Sequence, residues 1–207
     1  MTKEWGRSLL VLGLIMVVVA SAAIYGCTKD PTDATDCEKF DTSRDPWEEM
    51  RQQSTPFNIA VITQDKTWIP KLKKNRYPEV NKSAQFRLVL PEHVKAPIPA
   101  DAVWVMKDQH EAALDTTTAL HIALEQFARE TKPVVLLGFK DTNKLARAFG
   151  DPTQNSPIED VPDSGMLVST VIFHDPDVPA VYLLHIEAYK DWDYRIRRVL
   201  ESTWMVR

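Results

Sequence analysis

Residues 102–150 read AVWVMKDQHEAALDTTTALHIALEQFARETKPVVLLGFKDTNKLARAFG, and the architecture of the whole chain follows from them. AVWVM (102–106) is a short apolar run bounded by charged residues, the pattern of a strand covered on both faces. Asp108 and Glu111 have the spacing of a capping box, which predicts a helix from there to about Thr131. Ala113, Thr117, Leu120, Leu124 and Phe127 recur at helical spacing and form its buried stripe. Pro133 ends that helix and opens PVVLLGF, the most apolar strand of the chain. Asp141 then caps the short helix TNKLARAF, which Gly150 closes. Strand, helix, strand, helix in this order predicts a parallel α/β unit.

Upstream, FNIAVITQ (57–64) is apolar on both faces, and QFRLVL (85–90) alternates with Phe86, Leu88 and Leu90 inward. Both read as strands. Between them, Asp65 to Tyr77 is basic, a weak helix interrupted by Pro70. The proline-rich PEHVKAPIPAD leads from the second strand to AVWVM. Downstream, 151–165 is a turn-rich loop of the kind that often carries function. MLVSTVIFH (166–174) and VYLLHIEAY (181–189) follow as an antiparallel hairpin joined by DPDVPA. Asp191 caps a final helix with Trp192, Ile196, Val199 and Thr203 on one stripe. The fold class expected is α/β: one domain over 57–207, with a mixed, partly parallel sheet, flanking helices and a C-terminal β-hairpin and helix.

That domain stands behind a different kind of sequence. Residues 28–56 carry four basic and eight acidic side chains, are rich in Asp, Thr and Pro, and read as a mostly disordered linker. One short helix fits at Pro46–Gln53, capped by Asp45, with Trp47 and Met50 able to rest on the domain or on a partner; a spacer is the expected role. Before it lies LLVLGLIMVVVASAAIYGC (9–27), nineteen residues without a charge. As a helix this run spans about 28 Å, close to the roughly 30 Å of a bilayer core. Lys3 and Arg7 precede it and acidic residues follow, which directs the rest of the chain out of the cytoplasm.

Three processing routes fit residues 1–27: a retained transmembrane helix, cleavage after Ala20-Ser21-Ala22, and lipidation. Ile24-Tyr25-Gly26-Cys27 resembles the lipobox of bacterial lipoproteins, which implies a lipid on Cys27; Tyr25 is bulkier than that pattern usually has. Cys27 and Cys37 are the only cysteines, so the domain has no disulfide scaffold, zinc-cysteine site or thiol nucleophile. An unlipidated Cys27 could pair with Cys37 in an oxidising compartment.

Composition removes several functions. Residues 57–207 carry nineteen basic and twenty acidic side chains, without the basic stripe that nucleic acid requires. The glycines of the domain, Gly138, Gly150 and Gly165, are far apart, so no phosphate-cradling loop is expected, and no cofactor is called for. Neither a G-x-S-x-G elbow nor an H-E-x-x-H is present.

What chemistry remains lies where open α/β sheets bind ligands, at the carboxyl ends of the parallel strands. Asp65 and Lys66, Asp108 and His110, and Lys140 and Asp141 follow three predicted strands. If those strands are neighbours, the carboxylates share a rim that could hold Mg²⁺ or Ca²⁺, while the lysines could take an anionic group. Helix capping alone accounts for Asp108 and Asp141.

A second pair, His185 and Glu187, shares a strand face, with His174, Asp175 and Asp177 nearby. A hairpin folded about the middle of its connection places His185 opposite Thr170 and His174 opposite Val181. The two histidines are then about 13 Å apart, too far for one zinc. His93 falls in a loop and His121 at the flank of a helix stripe, and Asn81-Lys82-Ser83 matches a glycosylation sequon. The expected function is a non-enzymatic, membrane-tethered extracytoplasmic domain that binds another envelope protein or supports envelope assembly. A metal-assisted hydrolase or small-ligand-binding domain on the strand-end carboxylates is the alternative.

Overall fold

The computed structural model describes residues 25–27, 37–39, 45–151, 165–175, 177–187 and 190–207. Most of the N-terminal apolar run, most of the acidic linker and the loop 152–164 lie outside the described residues. Among the described residues no helix is long and apolar enough to cross a membrane.

The described chain folds as one α/β domain around a mixed sheet of six principal strands. These are β3 (Phe57–Ile62), β4 (Ala84–Val89), β5 (Ala102–Val105), β6 (Val134–Leu137), β7 (Met166–Asp175) and β8 (Val178–Ile186). Two three-residue strands, β1 (Tyr25–Cys27) and β2 (Cys37–Lys39), extend the sheet beyond β8. The full order is β2-β1-β8-β7-β6-β5-β3-β4. Cys27 and Cys37 stand opposite one another in the β1–β2 register.

β4, β3, β5 and β6 are parallel, as the alternation of strands and helices predicts. β7 and β8 add the antiparallel hairpin. The chain first steps from β3 outward to β4, then returns past β3 to β5 and continues to β6. The strand order therefore reverses between β3 and β5.

Each face of the sheet is covered by helices. On one side Phe57, Ile59 and Val61 of β3, Trp104 of β5 and Val135 of β6 pack with Leu72, Val80, Ile196, Val199 and Trp204. The helices there are Trp68–Lys73, Pro78–Ser83 and Trp192–Met205. Alternate strand residues, among them Ile62, Val103, Val105 and Leu136, face the other side. They meet Leu124 and Phe127 of helix Ala119–Arg129 and Leu145 of helix Thr142–Ala148.

The structure corrects four of the expectations. The helix Pro46–Gln52 is not part of a spacer. Asp45 caps it by accepting from the Trp47 and Glu48 amides, and Trp47 and Met50 are buried in the first core. The Trp204 indole N–H donates to Glu49 Oε2 at 2.8 Å. Packed structure thus reaches upstream of 57, through this helix at 45–52.

The single helix expected from 108 to about 131 is two, His110–Leu114 and Ala119–Arg129. Asp115 accepts the Thr117 amide and hydroxyl, and Thr118 caps the second helix by accepting from His121 N–H. Thr117 is consequently exposed instead of buried. His121 joins the two pieces, with Nδ1 2.8 Å from the Ala113 carbonyl, and is 2% exposed.

Asp108 caps nothing: it lies in a 3-10 turn (Lys107–Gln109), and the helix after it has no side-chain cap. The fourth correction is the hairpin register. His185 lies opposite Leu167, not Thr170, because the strands turn between Asp175 and Val178 and Pro179 already belongs to β8. Val171, not His174, faces Val181. His174 and His185 are thereby about 23 Å apart along the hairpin, farther than the sequence implies.

Candidate functional site

The rim of the sheet is built by the residues that leave β3, β5 and β6. At the end of β3, Thr63 is fully buried and its hydroxyl lies 3.0 Å from both carboxylate oxygens of Asp108. The Gln64 amide donates to the same carboxylate at 2.9 Å, and Gln109 Nε2 donates to it as well. Asp108 therefore ties the exit of β5 to the exit of β3, at the point where the strand order reverses. Burial opposes its charge, but the hydrogen bonds from Gln109, Gln64 and Thr63 prevail and hold its pKa below the usual carboxylate range.

Asp65 stands next to this bridge. Its amide donates to the Thr63 hydroxyl, and its carboxylate accepts the Thr67 N–H at 2.9 Å, closing an Asx turn. Hydrogen bonds from Thr67 lower its pKa against the repulsion of Asp108.

His110 is 9% exposed and packs edge-on against Phe139, with ring centroids 5.3 Å apart. Burial lowers its pKa, while the carbonyls of Val105 and Leu137 and the charge of Asp108 act the other way. It is thus a neutral imidazole wedged between the ends of β5 and β6.

Asp141, beyond the third strand end, does not form a metal-holding group with the other two carboxylates among the described residues. Asp141 accepts the Lys144 amide at 2.8 Å as the cap of helix Thr142–Ala148. Lys140 beside it is exposed. Among the described residues no group of three or more His, Cys, Asp or Glu is placed to hold a metal ion. The shared carboxylate rim is therefore not formed: Asp65 and Asp108 are neighbours, each already holding backbone or side-chain donors.

Of the other candidates, His174 Nε2 lies 3.0 Å from the Tyr182 hydroxyl, and Asp175 accepts the Asp177 amide in the turn. His185 is half-buried, and Glu187 is exposed just past the end of β8.

Lys66 leads to a feature the sequence reading missed. It sits at the mouth of a cleft of about 630 Å³ between the edge strand β4, the end of β3 and the chain that follows β4. The cause is the β4–β5 connection. A parallel crossover usually carries a helix that covers the sheet. Residues 90–101 have only one 3-10 turn, Pro91–His93, and a loop rich in proline. That loop runs back over β3 and β4 and is fastened at both ends. Gln64 Nε2 donates to Glu92, while Asn58 Nδ2 and Arg87 Nη2 donate to the Pro99 carbonyl.

The lining is aliphatic, with Ile62, Leu88 and Val89 from the sheet and Val94 and Ile98 from the loop itself. Around it stand Lys66, Arg87, His93 and Lys95. Lys66, His93 and Lys95 enter no ion pair among the described residues; the Glu92 carboxylate next to Lys66 is bonded to Gln64. The sequence did hold a signal for this cleft: two strands of one parallel sheet joined by PEHVKAPIPAD, a segment with too many prolines to make a covering helix.

No family model matches the chain, and no curated protein matches it. Among solved structures, an S-adenosylmethionine-dependent methyltransferase from Clostridium acetobutylicum is similar at a TM-score of 0.25 and 12% identity, over 77% of this chain and 79% of that one.

Proposed function

We propose that this chain is a tethered, extracytoplasmic α/β domain that binds a small anionic molecule in the cleft between β4 and the 90–101 loop, without catalysing a reaction on it. One observation carries the reading. Four basic side chains, Lys66, Arg87, His93 and Lys95, surround a preformed concavity at the strand ends, and no carboxylate lines it. The volume falls within the range of small-molecule sites. The Asp108 bridge gives the rim rigidity, because its carboxylate is occupied by Thr63, Gln64 and Gln109 rather than turned to an incoming group.

The tether is the uncharged run ending at Cys27, whose last three residues are strand β1, so it is held by the part upstream of Tyr25 as a helix or by a lipid on Cys27, which leaves an envelope protein as the expected partner. Retention of the full chain in the membrane pellet after alkaline extraction is the expected outcome. Recovery of an intact, full-length chain in the supernatant would remove the tether.

The ligand reading is tested by thermal unfolding of the full chain with inorganic phosphate, with octanoate and with choline. A ligand that binds only the folded state raises the melting temperature by mass action. Phosphate, octanoate or both should raise it, choline should not, and Lys66→Gln combined with Lys95→Gln should abolish the rise. No response to either anion, or an equal response in the double variant, would overturn the reading.

A further inference from the structure

We infer that the occupant of this cleft is an aliphatic anion: an unbranched hydrocarbon chain ending in a carboxylate or phosphate. The inference rests on the anion-binding reading and goes further by naming the chemical class. It comes from what lines the cleft and from what does not.

The floor and walls supply branched aliphatic side chains and proline from three separate segments, β3, β4 and the crossover loop. Phe, Tyr and Trp side chains, against which a nucleobase or other heterocycle would best stack, are absent from this lining, although the chain holds six tryptophans. Asn, Gln, Ser and Thr side chains, which would fix the hydroxyls of a sugar, are absent from it as well. What remains is an aliphatic surface, open at Leu88, Val89 and Leu90, that gains by covering methylene groups, beside the cationic Lys66, Arg87 and Lys95, which gain by meeting one terminal charge.

The arrangement of the edge strand gives the cleft its shape. β4 is the last strand on its side of the sheet, so its outer edge has no partner strand among the described residues. Arg87 and Val89 are two residues apart and share a face, with Arg87 exposed and Val89 partly buried against the second core. Ile62, Val94 and Ile98 lie deeper, at 0%, 6% and 5% exposure. These three are already covered by the protein, so the aliphatic surface open to a ligand is the partly exposed Leu88, Val89 and Leu90, which orients a chain with its charged end at the basic residues and its tail along the end of β4. A carboxylate-bearing acid free in solution and the phosphate of an anionic lipid both offer this chemistry.

Equilibrium dialysis of the full chain against inorganic phosphate, butyrate, hexanoate and octanoate tests the class, with the Lys66→Gln/Lys95→Gln double variant as the background for non-specific uptake. Each added methylene should tighten binding about fourfold until the floor is filled. Val89→Gln, a change at a half-buried edge position, should flatten that dependence. Equal binding of butyrate, octanoate and phosphate would overturn the aliphatic class and keep the anion reading. Binding of none of them would overturn both.

The source is read from competition. Displacement of bound octanoate by phosphatidylglycerol vesicles but not phosphatidylcholine vesicles would assign the cleft to a membrane lipid. Failure of both to displace it would assign the cleft to a free acid.

Discussion

The Thr63 hydroxyl sits 3.0 Å from both carboxylate oxygens of Asp108, so the residues leaving β3 and β5 are joined by a side chain at the point where the strand order reverses. In open α/β sheets this point is a crevice available to ligands. Here it is closed by the protein's own carboxylate, and the open space lies one strand outward, over β4.

Asp108→Asn tests the bridge. The amide can keep at most one of the acceptor oxygens, so a donor among Thr63, Gln64 and Gln109 loses its partner, a cost of about 1–3 kcal/mol. Because the folded pKa of Asp108 lies below its unfolded value, its contribution is complete above the ordinary carboxylate range and is lost as the pH falls through the folded pKa. Denaturant melts at neutral and at acid pH should therefore show the variant clearly weaker at neutrality and close to the parent in acid. A difference independent of pH would rule out the charged bridge.

His110 adds a second acid sensitivity with a different window. Burial favours its neutral form, so the unfolded chain binds a proton more readily than the folded one. Stability is full above the ordinary histidine range, about 6.5, and falls as the pH drops through it. Replacement by Gln, which cannot ionise, should remove this part of the slope. The check is the pH dependence of the unfolding free energy between neutral and mildly acidic conditions, with the parent losing stability where His110→Gln does not.

The helix Pro46–Gln52 should behave as core. Trp47 is 7% exposed, and Glu49 accepts the indole proton of Trp204, which is itself 1% exposed. Trp47→Ala should cost about 3–5 kcal/mol in a denaturant melt, the range for truncating a large buried aromatic. A loss below about 1 kcal/mol would return this helix to the linker.

The parallel unit was legible because both of its informative signals are local. Val103 to Met106 and Val134 to Leu137 are continuous apolar runs, and Asp141 has its cap partner three residues on. Asp108 misled for the same reason. Its spacing to Glu111 satisfies a local motif, but its partners Thr63 and Gln64 are more than forty residues away and outweigh the cap. The hairpin register failed at Pro179, which reads as a turn residue but is tolerated close to the start of β8. The cleft was hidden because its walls come from 62–66, 87–90 and 93–99, and nothing in any one of them looks like a site.

Asn58 offers a way to separate the cleft from general stability. Its side-chain amide holds the Pro99 carbonyl at 3.0 Å, and its backbone N–H donates to Asp101 at 2.8 Å, so it clamps the end of the loop that carries Lys95. Asn58→Ala removes the first bond and keeps the second, at a stability cost of about 0.5–1.5 kcal/mol. The loop then loses part of its preorganisation, and octanoate affinity should fall even though no lining residue has changed. Thr203→Val is the matched control. It removes the buried hydroxyl that receives the Trp104 indole N–H on the opposite face of the sheet, an expected loss of about 1–3 kcal/mol. Dialysis of the two variants side by side should show weakened binding in Asn58→Ala and parent-like binding in the less stable Thr203→Val. Affinity that tracked stability in both would mean the loop clamp has no role of its own in holding the ligand.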